Sequence, residues 1–259
     1  MKIAISGKGG VGKTTLAALL ARLYASEGRP VLAIDADPDA NLASAIGFPP
    51  DAAEKIVPIV EMKDLIEERT GAKPGSSAPY FRLNPRVDDI PDRFAGVHAG
   101  VKLLLMGTVK TGGGGCICPE NVLLKQLLRH VLVYREEVVI VDMEAGIEHL
   151  GRATADSVDA FIVVVEPGRR SLQTAETIKR LAADIGIDRC LVVGSKVGSQ
   201  SDRDFITSGL PDITVLGFIS RSERIIEADL KGLSPFDLAP DAVEEARQIR
   251  KRLDEIIVS

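Results

Sequence analysis

The chain has 259 residues, 45% of them hydrophobic but only 4% aromatic and none of them Trp, and its formal charge is −5. That length suits one large α/β domain or two small ones around an aliphatic core. The acidic balance argues against a nucleic-acid partner, which calls for a basic surface, and no apolar run approaches the ~20 residues of a membrane span. Three cysteines, an odd number, argue against a disulfide framework and suit a reducing, cytoplasmic setting. The opening "MKIAISGKGG" is too short and too glycine-rich for a signal peptide.

In chain order, "KIAIS" predicts a strand and residues 13–27 a helix, followed by the strand "VLAID". From about Phe48 to Gly100 the rhythm breaks. This region holds seven of the 14 prolines and one predicted helix, "EMKDLIEERTG", and reads as an irregular insertion at about 48–100. The strands "VKLLLMG", "EVVIVD", "DAFIVVVE", "RCLVVGS" and "ITVLGFIS" then alternate with helices predicted over 119–133, 171–185 and 240–257. Near-continuous aliphatic strands are buried on both faces, so the expected fold is α/β, a mostly parallel twisted sheet flanked by helices. All 259 residues read as a single domain.

"GKGGVGKTT" (7–15) lies between the first strand and the first helix. Gly7, Gly12, Lys13 and Thr14 satisfy G-x-x-x-x-G-K-[ST], the phosphate loop of P-loop NTPases, in the context that motif requires. Gly7, Gly9, Gly10, Val11 and Gly12 would turn backbone N–H groups onto phosphate oxygens, helped by the helix N-terminus and Thr15. Lys13 would hold the β and γ phosphates, and the Thr14 hydroxyl would ligate Mg²⁺. Asp142, ending "EVVIVD", fits the acid that steadies Mg²⁺ through water.

Lys8 directly after the first glycine resembles the deviant phosphate loop of the MinD/ParA/ArsA-like ATPases. The resemblance implies that Lys8 reaches across a homodimer interface to the partner's nucleotide. It also implies that Asp37 of "DADPDAN" polarises the attacking water, with Asp35 nearer the Mg²⁺ shell. Asp39 could instead cap a helix over "ANLASAIG". "MEAG" resembles switch II, with Glu144 and Gly146 sensing the γ-phosphate. In "GSKVG" Ser195 stands where the family often has Asn, so Ser195, Lys196 and Pro235 are the candidates for adenine; ATP is favoured over GTP.

"GGGGCICPEN" (112–121) sets Cys116 and Cys118 one residue apart. In extended backbone such residues point to one side, so both sulfurs could hold one metal at ~2.3 Å. Pro119 reads as the first residue of a helix, with Cys118 at its N-cap, where the helix dipole favours the thiolate. Two thiolates half-fill a four-coordinate site, and a two-fold dimer could supply the rest. Tetrahedral sulfur suits Zn²⁺ and square-planar Ni²⁺. Two small buried hydrophobes or a redox switch are the alternatives. Cys190 reads as a core residue, and His149 as structural.

Taken with "KLLLMGTV", "DMEAGIEHLGR" and "VVVEPGRRSLQTAETIKRLAADIGI", these segments resemble the CooC-type maturation ATPases of carbon monoxide dehydrogenase, from residue 1 to about 235. The resemblance implies an ATP-hydrolysing homodimer that binds nickel, and often zinc in vitro, through its paired thiols. The client would be carbon monoxide dehydrogenase or acetyl-CoA synthase. Two alternatives from the same superfamily are an iron–sulfur or electron-transfer ATPase, which also needs four thiolates, and a membrane- or DNA-positioning ATPase. The latter needs a basic amphipathic tail. The last helix instead sets five acids against four bases around a stripe of Val243, Ala246, Ile249, Leu253, Ile256 and Ile257, a pattern that suits core packing.

Overall fold

A computed structural model describes residues 1–75, 80–107, 118–145, 150 and 157–258. The seven predicted strands are present: β1 (Lys2–Ser6), β2 (Val31–Ala36), β4 (Val101–Leu105), β5 (Val138–Met143), β6 (Ala160–Val165), β7 (Cys190–Val197) and β8 (Thr214–Ser220). An eighth, β3 (Gly96–His98), was not legible in the sequence. Three residues are too few for a period, and its pairing is set by the sheet edge. The order is β3-β4-β2-β5-β1-β6-β7-β8, parallel throughout except for the β3–β4 pair.

Alternation along the strands divides the core. Ile3 and Ile5 of β1 point to the face covered by α1 (Lys13–Ser26), where Leu16, Leu20, Leu23 and Tyr24 are buried. Ala4, with Leu32 and Ile34 of β2, points to the other face. There α6 (Pro119–Tyr134) and α7 (Arg169–Ile185) supply Leu123, Leu127, Leu172 and Ile178. The 48–100 region carries α3 (Pro50–Ala53), a 3₁₀ turn at Ile59–Glu61, α4 (Lys63–Thr70) and α5 (Ile90–Phe94). Its Ile59, Ile66 and Ile90 are fully buried on the α6 face of the sheet.

The last helix, α11 (Pro240–Val258), buries Ala242, Ala246, Ile249 and Leu253 against β8 and α1, so its apolar stripe is core. Gly217 of β8 permits the approach, since a Cβ there would lie 2.7 Å from Ile249 Cγ1. The Tyr24 hydroxyl ties the helices together by donating to Asp254 Oδ1 (2.8 Å). Among the described residues no helix is long and apolar enough to cross a membrane.

Because β1 lies between β5 and β6, the chain winds outward from it in both directions. The C-terminal ends of the parallel strands form one rim, and a crevice opens there where the winding reverses. Residues 7–12 run from β1 to α1 across that crevice.

Candidate nucleotide site

The turn after β1 is built for backbone exposure. Gly7 has φ 149°, and a Cβ on it would sit 2.5 Å from the Val164 carbonyl oxygen. Gly12, the N-cap of α1, has φ 101°, and a Cβ there would meet Ser195 Oγ at 2.8 Å. L side chains rarely adopt either conformation, so the two motif glycines are required by geometry. Val11 N–H donates to the Lys8 carbonyl (3.3 Å) and closes the turn. The first-turn amides of α1 have no intrahelical acceptors and face the crevice with the positive end of the helix dipole. Gly9 and Gly10 are exposed, while Val11 is buried and anchors the loop.

Lys13 is 6% exposed, and its Nζ lies 3.5 Å from Asp37 Oδ2. Lys8 is exposed, and its side chain has no ion pair or hydrogen bond among the described residues. Strand register sets Asp35 of β2 directly beside Asp142 of β5. Both are buried, and their surroundings differ. Asp35 accepts from two amides: Asp37 N–H at Oδ1 (3.1 Å) and Leu42 N–H at Oδ2 (2.9 Å). Burial nevertheless pushes its pKa up to about 6. Among the described residues, Asp142 has no donor in hydrogen-bond geometry at either oxygen. Burial raises its pKa to about 7, with Asp35 adding to the shift while the nearby Thr14 hydroxyl and Lys13 partly offset it. A dry carboxylate with neither oxygen taken by a backbone amide among the described residues, beside a hydroxyl on the phosphate loop, fits a hydrated divalent cation.

The predicted cap Asp39 does not cap. It is exposed and donates its N–H to Asp37 Oδ1 (3.1 Å). The N-cap of α2 (Leu42–Ile46) is Asn41, with no side-chain cap bond, and the first helical amide is taken by Asp35. A carboxylate seven residues upstream reaches it because β2 ends where α2 begins.

A cavity of about 620 Å³ exposes Gly9, Gly10, Lys13, Thr14, Asp37, Glu144 and Pro235. A second, of about 540 Å³, is lined by Glu166, Pro167, Ser195, Lys196 and Arg221 and shares Gly12, Thr15, Ile225 and Ile226 with the first. The shared residues make them one continuous groove over the start of α1. Ser195 is buried against Gly12. Lys196 holds the left-handed region at φ 56°, rare for a non-glycine residue. It donates to the Gly10 carbonyl and lies 3.8 Å from Glu166 Oε2, strapping the end of β7 to the 7–12 loop. Glu166 and Arg221 escaped the sequence reading, although Glu166 directly follows β6, at the rim where such sheets place ligand chemistry.

Glu144 is exposed, and its carbonyl accepts from Ser6 Oγ (2.8 Å). Gly146 and His149 lie outside the described residues, as do residues 112–117 with Cys116. Cys118 is the N-cap of α6, extended at φ −119° and ψ 157°, with Pro119 in the first turn as expected. Glu120, buried, accepts from the Gly75 N–H (2.6 Å) and ties the 48–100 region to this helix. Among the described residues, no group of three His, Cys, Asp or Glu side chains is placed to hold a metal ion. Cys190 packs against the core, and burial pushes its thiol up to about 11.

A glycine loop at the switch point of a parallel sheet, with a buried lysine, a hydroxyl and two strand-end acids, defines a P-loop nucleoside triphosphatase. The model of the CobQ/CobB/MinD/ParA nucleotide-binding domain matches residues 2–236. The carbon monoxide dehydrogenase accessory protein CooC of Rhodospirillum rubrum is 51% identical over 98% of this chain and 96% of its own length. An uncharacterized ATP-binding protein of Methanocaldococcus jannaschii is 46% identical, covering 96% of each chain. The crystal structure of a ParA family ATPase from Chlorobium tepidum shares the fold, with a TM-score of 0.67 at 18% identity over 99% of this chain and 97% of that one. The chain therefore belongs to the MinD/ParA-type ATPases and, within them, to the CooC type.

Proposed function

We propose that this ATPase is a homodimeric, cytoplasmic metallochaperone, a single ATPase domain that delivers nickel to carbon monoxide dehydrogenase or to acetyl-CoA synthase. The observation that carries the reading is the 51% identity, over nearly the whole of both chains, to a carbon monoxide dehydrogenase accessory protein. Cys116 and Cys118 are the proposed cargo ligands, two from each subunit, taking nickel or, in its absence, zinc. The helix N-cap position of Cys118 supports this, because it favours a thiolate.

In the catalytic cycle, incoming phosphates displace the Asp37 carboxylate from Lys13 and take its place. The loop amides and the start of α1 cradle the β-phosphate, and Lys13 spans β and γ. Thr14, and Asp142 through water, would hold Mg²⁺, which neutralises charge between those phosphates. Asp37, released, orients the attacking water. Glu144 serves the γ-phosphate, Ser195 and Lys196 border the base from the second cavity, and Pro235 reaches it from the first. Lys8, whose exposed side chain is unpaired among the described residues, reaches the nucleotide of the second subunit. The same closure sets the two thiol pairs face to face, so nucleotide and metal are linked, each changing the other's affinity by one factor.

Metal titration with size-exclusion chromatography tests this. One metal per two chains is expected, with the Cys116→Ser/Cys118→Ser double variant binding none and dimerising only with nucleotide. One metal per chain defeats the shared site. Iron–sulfur absorption bands in anaerobically purified protein would favour the electron-transfer alternative.

A further inference from the structure

From the hydrogen bonds of β2 we infer that Asp35 is a positioning residue, which folds the Asp37 segment into its working shape and contributes nothing to the cation shell. The inference rests on the reading of Asp37 as the water-orienting acid. Asp35 is 1% exposed, and each of its oxygens is committed to a backbone amide, one at Asp37 and one at Leu42. These bonds bracket the five residues 37–41. The first fixes the backbone that carries the Asp37 side chain; the second pins the start of α2. Without the carboxylate, two amides at a buried strand end lose their acceptors.

The neighbouring acid shows the contrast. Asp142 is aligned with Asp35 across the β2–β5 ladder and is equally buried, yet neither of its oxygens is taken by a backbone amide among the described residues, and the Thr14 hydroxyl lies beside them. Two adjacent carboxylates thus divide the work: one is spent on the protein's own backbone, the other is kept for the ion. Beyond α2 the scaffold continues to the Ser234–Asp237 turn on the wall of the same cavity. Ser234 Oγ donates to the Ala45 carbonyl (2.7 Å), and Arg22 bonds both the Ile46 carbonyl (2.7 Å) and Asp237. Pro235 lies between those two anchors, so the segment that Asp35 shapes is braced against the turn that borders the nucleotide.

The test compares full-length Asp35→Asn and Asp35→Glu with Asp142→Asn, after confirming that the wild type hydrolyses ATP; a wild type without that activity would overturn the ATPase reading itself. Asn retains one acceptor of two, and Glu keeps the charge but displaces both oxygens. For both Asp35 variants a loss of roughly tenfold or more in kcat is expected. The affinity for a fluorescent ATP analogue and the half-saturating Mg²⁺ concentration should stay within about twofold of wild type. Limited proteolysis of the nucleotide-free protein should cut faster within residues 37–41. Asp142→Asn should instead raise the Mg²⁺ requirement and leave that cleavage unchanged. If excess Mg²⁺ restores kcat in Asp35→Asn, Asp35 belongs to the cation shell and the inference fails. It also fails if kcat and the cleavage rate are those of wild type.

Discussion

Lys13 Nζ and Asp37 Oδ2 lie 3.5 Å apart, although the proposed cycle needs each of them elsewhere. On that proposal Asp37 stands in for phosphate until ATP binds. Asp37→Asn removes that competitor, so ATP should bind the variant a few-fold more tightly while kcat falls by about 100-fold, the usual contribution of a group that manages a proton. Binding and single-turnover measurements separate the two effects, and a variant that binds more weakly would count against the exchange. Asp142 makes a prediction of opposite kind. Its folded pKa of about 7 lies above the unfolded carboxylate range, so the stability linked to its proton is present at low pH and is lost as pH rises through 7. Asp142→Asn has no such loss. Denaturant titrations of the apo protein should show the variant gaining on wild type by on the order of 3 kcal/mol between pH 5 and pH 8, even as its ATPase activity collapses.

At the scale of elements, the final helix settles a question that its sequence leaves open. A stripe of Ala246, Ile249 and Leu253 could meet a bilayer or a core, and here it is fully covered by β8 and α1. Leu253→Ala should cost 2–5 kcal/mol, as a cavity in a close-packed interior does. Gly217→Ala should destabilise by about 1–3 kcal/mol through overpacking against Ile249. Tyr24→Phe, losing the bond to Asp254, should cost about 1 kcal/mol. Chemical denaturation measures all three. The same burial predicts that ATP-loaded protein stays in the supernatant with anionic lipid vesicles, and co-sedimentation would contradict it.

For the whole molecule, the proposed coupling of nucleotide and metal has a thermodynamic signature. If a non-hydrolysable ATP analogue tightens nickel binding by some factor, nickel must tighten binding of the analogue by that same factor. Equilibrium dialysis performed both ways checks it, and nickel affinity that ignores the analogue would remove the linkage. The Lys8→Ala variant should keep nucleotide binding within about twofold and lose nucleotide-dependent dimerisation, since its ammonium makes no ion pair or hydrogen bond among the described residues of its own subunit.

Seven strands, the four longest helices and the phosphate loop were legible in the sequence, because each depends on neighbours in the chain. Aliphatic runs mark strands buried on both faces, a 3.6-residue period marks covered helices, and G-x-x-x-x-G-K-T needs only a strand before it and a helix after it. Cys118 as the N-cap ahead of Pro119 was legible for the same reason. The tertiary structure alone decided what depends on juxtaposition. Asp35 rather than Asp39 takes the first amide of α2, Glu166 and Arg221 line one cavity with Lys196, β3 pairs on the edge, and neither Asp142 oxygen finds a hydrogen-bond donor among the described residues. Each of these is a contact between segments distant in sequence or a consequence of lost solvent. Residue order specifies which groups are available, and only the packed sheet sets which of them are dry, paired or free to act.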